Sequence, residues 1–279
     1  MDGTLLNSRR TISRANAAAL RQAAARGVHV TICTGRGYDS ARVFGLAMGF
    51  RPYVVSANGS IGHDPTGRQL FTDPMDPETT RELIRILRKH RLVFHAFTPT
   101  GLVAEDPQPW VHSRRWPILW RDLLYPAGLL VRWLSRTLGG PRFVPDVEAH
   151  LKEHGPCLKF FCQERLPGTL AAARAELQET ALPVELAASG SDNIELTASG
   201  VNKATGLARL AQLLGVEQAE VVAVGDHLND LDMLRWAGMG VAVANAVPEA
   251  KEAASRVLEA SNDQDGVAEA VRLLLLTQR

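Results

Sequence analysis

Three cysteines in 279 residues are too few for a disulfide framework. Cys157 and Cys162 stand five apart in a strand-like run and so point to opposite faces, while Cys33 lies in another apolar run. No apolar stretch reaches the roughly 18 residues that a membrane-spanning helix needs, and the amino end lacks the layout of a secretory signal. These absences predict reduced thiols and a cytoplasmic protein. The net charge is only +1, which offers no general attraction to nucleic acid or membrane. Also missing is a strand ahead of Asp2-Gly3-Thr4, although those residues read as the turn that follows one.

What is there is ordinary for a globular chain of one large or two modest domains, with 46% hydrophobic and 22% charged residues. The most informative stretch is GDHLNDLDML, Gly225 to Leu234. Val221 to Val224 read as a short buried strand, and Gly225 permits the tight exit that places Asp226 at its carboxyl end. In an open parallel sheet, ligands bind outside the carboxyl ends of the strands, so Asp226 stands where a hard cation and a phosphate could be held. Asn229 and Asp230 follow at the start of a helix, where they can orient such a site or simply cap free N–H groups.

Taken in order, an Ala-rich helix is predicted over Arg14–Arg26, closed by Gly27, then a buried strand over Val28–Cys33 that ends in Thr34-Gly35-Arg36. A helix near Asp39–Met48 leads to a strand over Tyr53–Ser56, ending in Asn58-Gly59, and Ile61–Phe71 reads as a β-hairpin. From Asp76 the texture changes. An amphipathic helix over Pro77–His90 is followed by strands over Leu92–Phe97, Leu158–Cys162 and Val184–Ala188, with a helix over Thr169–Thr180. These strands lack polar clusters at their ends, which predicts a separate α+β unit. Within it, Trp110–Phe143 holds four of the five tryptophans and six arginines against one acid, Asp122. Its Arg121–Leu138 portion has a basic amphipathic pattern, broken by Pro126 and Gly128, that could touch an anionic membrane or a partner; the preferred alternative is that its apolar side chains pack inside while its arginines reach outward. Beyond Asn193–Leu196, Lys203 opens a helix over Ala204–Leu214. Further strands over Gly240–Ala244 and Arg256–Glu259 end in Asn245 and in Ser261-Asn262-Asp263, before a closing helix near Gly266–Leu276.

Five strands, Val28–Cys33, Tyr53–Ser56, Val221–Val224, Gly240–Ala244 and Arg256–Glu259, thus each end in a small polar cluster. Alternation of strand and helix puts those ends on one edge of a parallel sheet. Each cluster taken alone reads as a turn or cap; their agreement predicts a site.

The order of motifs resembles the haloacid dehalogenase superfamily, in particular its Cof-type phosphatases with a large α/β cap inserted after the second motif. DGTLL resembles motif I, Thr34-Gly35-Arg36 motif II, Lys203 motif III and GDHLNDLDML motif IV. The resemblance implies an α/β fold, with a doubly wound parallel sheet as a Rossmann-like core and an inserted α+β cap. The core would occupy 1–75 and 190–279, and the cap 76–189.

The resemblance also implies phosphoryl transfer to an aspartate and hydrolysis of the aspartyl-phosphate, with Mg²⁺ as cofactor. Carried over by position, Asp2 would be the general acid and base and would help to hold Mg²⁺ through its backbone carbonyl. Thr34, Gly35 and Asn229 would meet the phosphate, and Lys203 would neutralise it as a point charge. Asp226 would ligate Mg²⁺, with Asp230 completing or orienting the site. Asn58 and Gly59 would line the substrate entrance or form a turn, and Arg36 is left as structural.

One departure stands out. The family's motif I is an apolar strand ending in Asp-x-Asp, whose first Asp is the nucleophile, and Met1 here occupies the x position. The expectation is that Met1 is an internal methionine of a longer chain reading Asp-Met-Asp-Gly-Thr, and that without the strand the core carries an open slot with two unpaired inner edges. The expected function is a Mg²⁺-dependent phosphatase acting on small phosphorylated metabolites such as sugar phosphates or nucleotides, a mutase on the same scaffold being a variant. The alternative from another class is a catalytically inactive phosphate-binding or regulatory protein. The substrate and the oligomeric state are not legible.

Overall fold

A computed structural model describes residues 1–105, 140–164, 166–188 and 192–277. Most of the Trp/Arg block, 110–139 with its amphipathic pattern, therefore lies outside the described residues. The chain divides into two compact units, one made of Met1–Asp73, Ala187–Ser189 and Gly200–Arg279, the other of Pro74–Leu186 and Gly190–Ser199.

The first unit opens with helix α1 (Arg14–Ala25), whose N-cap Ser13 accepts a hydrogen bond from the Asn16 N–H. Strand β1 is Thr31–Cys33, shorter than the predicted Val28–Cys33. The reason is local: the Val28 N–H donates to the Ala23 carbonyl at 3.1 Å, so Val28 still belongs to the exit of the helix. Helix α2 (Tyr38–Met48) crosses to strand β2 (Tyr53–Ser56), which pairs in parallel with β1. Strands β3 (Ile61–His63) and β4 (Gln69–Thr72) continue the sheet antiparallel, as the predicted hairpin.

The second unit contains helix α3 (Pro77–Lys89), which carries Asp76 as N-cap and proline in its first turn. Strands β5 (Val93–Thr98), β6 (Gly101–Ala104) and β7 (Arg142–Phe143) follow, then helix α4 (Val147–His154), strand β8 (Lys159–Gln163), helix α5 (Thr169–Glu179) and strands β9 (Val184–Ala187) and β10 (Asn193–Ala198). Six strands form one sheet in the order β7-β6-β5-β8-β10-β9. Here the predicted boundary at 190 is corrected: β10 pairs antiparallel with β8, Ile194 opposite Cys162, so this strand belongs to the second unit. One sheet face and the helices share a core of Leu83, Ile84, Leu87, Phe94, Phe160 and Leu196. Full burial of each such side chain stabilises the fold by about 1.5–3 kcal/mol.

The first unit then resumes with helix α6 (Lys203–Leu214), strand β11 (Val222–Gly225), helix α7 (Leu231–Trp236), strand β12 (Met239–Ala242), helix α8 (Pro248–Ala253), strand β13 (Arg256–Val257) and helix α9 (Gly266–Thr277). Asn202 caps α6 with a reciprocal capping box to Thr205. Strands β11, β12 and β13 form a parallel sheet of three, separate from the sheet of β1 to β4. Leu20, Ile32 and Val271 pack together from α1, β1 and α9, and Met1, Leu5 and Leu6 join them. Among the described residues, no helix is long and apolar enough to cross a membrane.

Candidate active site

The site is built where β1 and β11 end. Met1 to Leu6 form a tight turn there: the N–H groups of Leu5 and Leu6 both donate to the Met1 carbonyl, at 3.0 and 2.9 Å, and Gly3 takes φ 68°. That turn needs glycine, because a Cβ on Gly3 would collide with the Asp226 carboxylate. The Thr4 hydroxyl donates to Asp226 Oδ1. Two predicted turn residues secure the segment from the other side, Asn245 Nδ2 donating to the Gly3 carbonyl at 2.8 Å and Asn262 Nδ2 to the Leu6 carbonyl at 2.9 Å.

Asp230 is the centre of the polar network. Its Oδ1 accepts from Lys203 Nζ at 2.6 Å, and its Oδ2 accepts from the Asp226 and His227 N–H groups at 2.9 and 3.2 Å. Both partners of the ion pair are almost wholly buried, with side chains 5% and 3% exposed. Burial works against the Asp230 carboxylate, yet the Lys203 ammonium and the Met1 amino group outweigh it and hold its pKa at about 2. Asp226 goes the other way. Burial raises its pKa more than the Thr4 hydrogen bond lowers it, and Asp230 adds to the rise.

Asp2 faces Arg36. The guanidinium donates to both of its oxygens, through Nε at 2.8 Å to Oδ2 and through the terminal nitrogen to Oδ1. Burial would raise the Asp2 pKa, but these bonds prevail and lower it. Arg36 therefore holds the predicted acid, a role that the sequence reading missed by leaving it structural. Nothing local marks it, since the partners are 34 positions apart.

Thr34 is buried, with 3% exposure, and its hydroxyl accepts from the Arg36 N–H at 3.2 Å, closing the turn that contains Gly35. Asn229 is half-buried in the single 3₁₀ turn Leu228–Asp230 that precedes α7. Asn58 and Gly59, read as entrance or turn residues, lie buried in the single 3₁₀ turn Ala57–Gly59. Gly59 has φ 104°, and a Cβ there would strike the Asn202 carbonyl, so it serves close packing.

Among the described residues, no three His, Cys, Asp or Glu side chains converge as a ready metal cluster. The donors at the strand ends still suit a hard cation, which takes carboxylate and carbonyl oxygens. Asp226 is the carboxylate of this group whose pKa is raised, with burial as the main cause.

Residues 1–271 match the family model of haloacid dehalogenase-like hydrolases. The chain belongs to that family. Among its haloacid dehalogenase-like relatives, the phosphatase YwpJ of Bacillus subtilis is 31% identical over 99% of this chain and 98% of its own length. A second B. subtilis protein, the 5-amino-6-(5-phospho-D-ribitylamino)uracil phosphatase YwtE, is 29% identical over 100% and 97%. A solved structure of a haloacid dehalogenase-like hydrolase from B. subtilis superposes with a TM-score of 0.81 at 27% identity, covering 97% of this chain and 96% of that one. As a member of this family the chain is a hydrolase of the phosphatase type, with the predicted Rossmann-like α/β fold.

Proposed function

We propose that the chain is a Mg²⁺-dependent phosphomonoesterase that acts on a small phosphorylated metabolite through an aspartyl-phosphate. The observation that supports this most is the buried Lys203–Asp230 pair beside Asp226, on the same edge as Asp2 and Thr34. Phosphoryl transfer asks a protein mainly for positioning and charge neutralisation, and these residues offer both. The relative named for 5-amino-6-(5-phospho-D-ribitylamino)uracil supports a phosphorylated metabolite as the substrate class. The inserted second unit is read as the cap that selects among such molecules.

Asp226 and the main-chain carbonyl of Asp2 are the proposed ligands of the metal, with Asn229 beside them. Bound there, Mg²⁺ would offset the negative charge of the phosphoryl oxygens. Asp230, with both oxygens engaged inside the protein, orients Lys203 and the loop rather than ligating. Lys203, Thr34 and Gly35 would hold the phosphate. The aspartate that accepts the phosphoryl group is the one the resemblance sets two positions before Asp2. Its oxygen forms a bond to phosphorus as the bond from phosphorus to the ester oxygen breaks, and Asp2 supplies the proton that leaves with the alcohol. Asp2 then takes a proton from the water that attacks phosphorus and releases phosphate. Arg36 has to loosen its hold before Asp2 can carry a proton.

A second reading, a phosphate-binding protein without turnover, is favoured by one feature, the engagement of both Asp2 oxygens by Arg36. The two are separated by measuring phosphate release from p-nitrophenyl phosphate and a panel of sugar and nucleoside monophosphates, with and without Mg²⁺. The protein used carries an apolar segment ending in Asp directly before Met1. Mg²⁺-dependent turnover that Lys203→Ala lowers about a hundredfold is expected; phosphate binding without turnover would favour the second reading.

A further inference from the structure

Helix α4 carries a histidine pair that the proposed phosphatase chemistry does not use. His150 and His154 stand four positions apart in the second unit, a spacing that puts two side chains on one face of a helix. Val147 and Leu151 of the same helix belong to the buried apolar core, whereas His150 is half-buried and His154 exposed. The core holds the backbone of the helix while the pair stays within reach of a solute.

Two features distinguish this pair from histidines that merely share a helix face. The rings lie side by side, their centroids 4.2 Å apart and their planes inclined by only 12°. Two imidazole nitrogens on one tetrahedral ion, each about 2.0–2.1 Å from it, stand about 3.4 Å apart, so a small torsional adjustment brings these rings onto a common ion. The second feature is a hydrogen bond: His154 Nδ1 lies 3.2 Å from the His150 carbonyl. A carbonyl only accepts, so in the neutral ring Nδ1 carries the hydrogen and Nε2 keeps its lone pair. Metal-binding histidines use this arrangement, in which one ring nitrogen donates to a backbone carbonyl and the other meets the ion. Among the described residues, no hydrogen bond engages a ring nitrogen of His150.

The surrounding charges are mixed. Glu153 Oε2 lies 3.8 Å from His154 Nδ1, and His154 ends the helix, where the free carbonyls favour a cation. Lys152 shares that last turn, and Arg142 is near enough to act on His150. Burial, His154 and Arg142 lower the His150 pKa against the pull of Glu153, which keeps the ring unprotonated and able to bind a metal. The donor type then selects the ion. Imidazole nitrogen suits Zn²⁺, Ni²⁺ and Cu²⁺, whereas Mg²⁺ takes oxygen.

We propose that His150 and His154 form a two-histidine surface site for a divalent transition-metal ion of the Zn²⁺ type, with water filling its remaining positions. With only two protein donors the site is open, and it holds its ion less tightly than a four-ligand structural zinc centre. It involves no residue of the first unit and no phosphatase chemistry, and its test reads no turnover.

The test is a Zn²⁺ titration of the full chain in a large excess of Mg²⁺, which occupies oxygen-donor sites, followed through the histidine ring nitrogens by ¹⁵N NMR. The signals of His150 and His154 should move together and with the same Zn²⁺ dependence, and Mg²⁺ alone should leave them in place. His150→Gln and His154→Gln should each weaken Zn²⁺ binding at the remaining histidine by about tenfold or more. Ring signals that stay still, movement of one histidine without the other, full affinity in either variant, or an equal response to Mg²⁺ would each overturn the proposal. His154→Gln changes an exposed side chain at the helix end and should leave thermal melting unaltered. If His150→Gln does not fold, His154→Gln decides alone: retained Zn²⁺ affinity at His150 contradicts the proposal, and its loss supports it.

Discussion

Lys203 Nζ lies 2.6 Å from Asp230 Oδ1, and both side chains are buried, so each charge depends on the other. Removing one member of such a pair leaves an uncompensated buried charge. Asp230→Ala should therefore destabilise the protein by about 3–5 kcal/mol in urea unfolding. Lys203→Met with Asp230→Asn replaces the pair by neutral groups and should cost less than the sum of the two single changes. Costs that simply add would mean that the two side chains are not coupled.

Arg36 and Asp2 are a different kind of pair, with side chains 29% and 54% exposed. Arg36→Ala should change stability by less than about 1 kcal/mol. Its effect belongs to pH dependence. Arg36 lowers the Asp2 pKa, so its loss lets that pKa rise and keeps Asp2 protonated to higher pH. The pH optimum of phosphate release should move upward in the variant, whereas an unshifted profile would mean that Asp2 does not carry the proton.

His95 in the second unit is buried, and burial lowers its pKa to about 4. A histidine that is neutral in the fold but free to protonate when unfolded binds fewer protons in the native state between its two pKa values. Its contribution to stability is complete above about pH 6.5 and falls as the pH drops toward 4, by about 3 kcal/mol in all. His95→Gln should flatten the urea-unfolding midpoint over that range. An equally steep fall in the variant would assign the effect elsewhere.

Gly59 combines φ 104° with a carbonyl where its Cβ would stand. Gly59→Ala should destabilise by about 2 kcal/mol or more, through backbone strain and the clash with Asn202 together. Thermal melting within about 2 °C of the parent would contradict that packing, since 1 kcal/mol corresponds to about 2–4 °C in a chain of this size.

Much of this arrangement is legible in the sequence, because the relevant signals are local. The tight turn at Gly3 and the polar ends of β1 and β11 all arise within a few residues. What escapes is pairing over distance. Arg36 reads as one of many arginines until the fold brings Asp2 to it. Asp230 reads as a ligand or a cap, yet its two oxygens are consumed by Lys203 and by two backbone N–H groups. Strand Asn193–Ala198 has the right period for a strand, but periodicity does not say which sheet it joins, and its partners in β8 lie 30 to 38 positions earlier. Gly101–Ala104 offers only three apolar residues in a row, too short a run to mark a strand. β1 and β11 stand at the ends of two separate sheets, with a cavity lined by residues of both strands.

The most direct test of the proposed phosphatase is the Mg²⁺ dependence of phosphate release in the protein carrying Asp directly before Met1, compared with its Asp226→Asn variant. Turnover of p-nitrophenyl phosphate should require Mg²⁺ and fall by about a hundredfold or more in the variant. Without metal the variant should be at least as stable as the parent, because burial already disfavours the Asp226 carboxylate. Undiminished Mg²⁺-dependent turnover in Asp226→Asn would contradict the account and place the metal elsewhere.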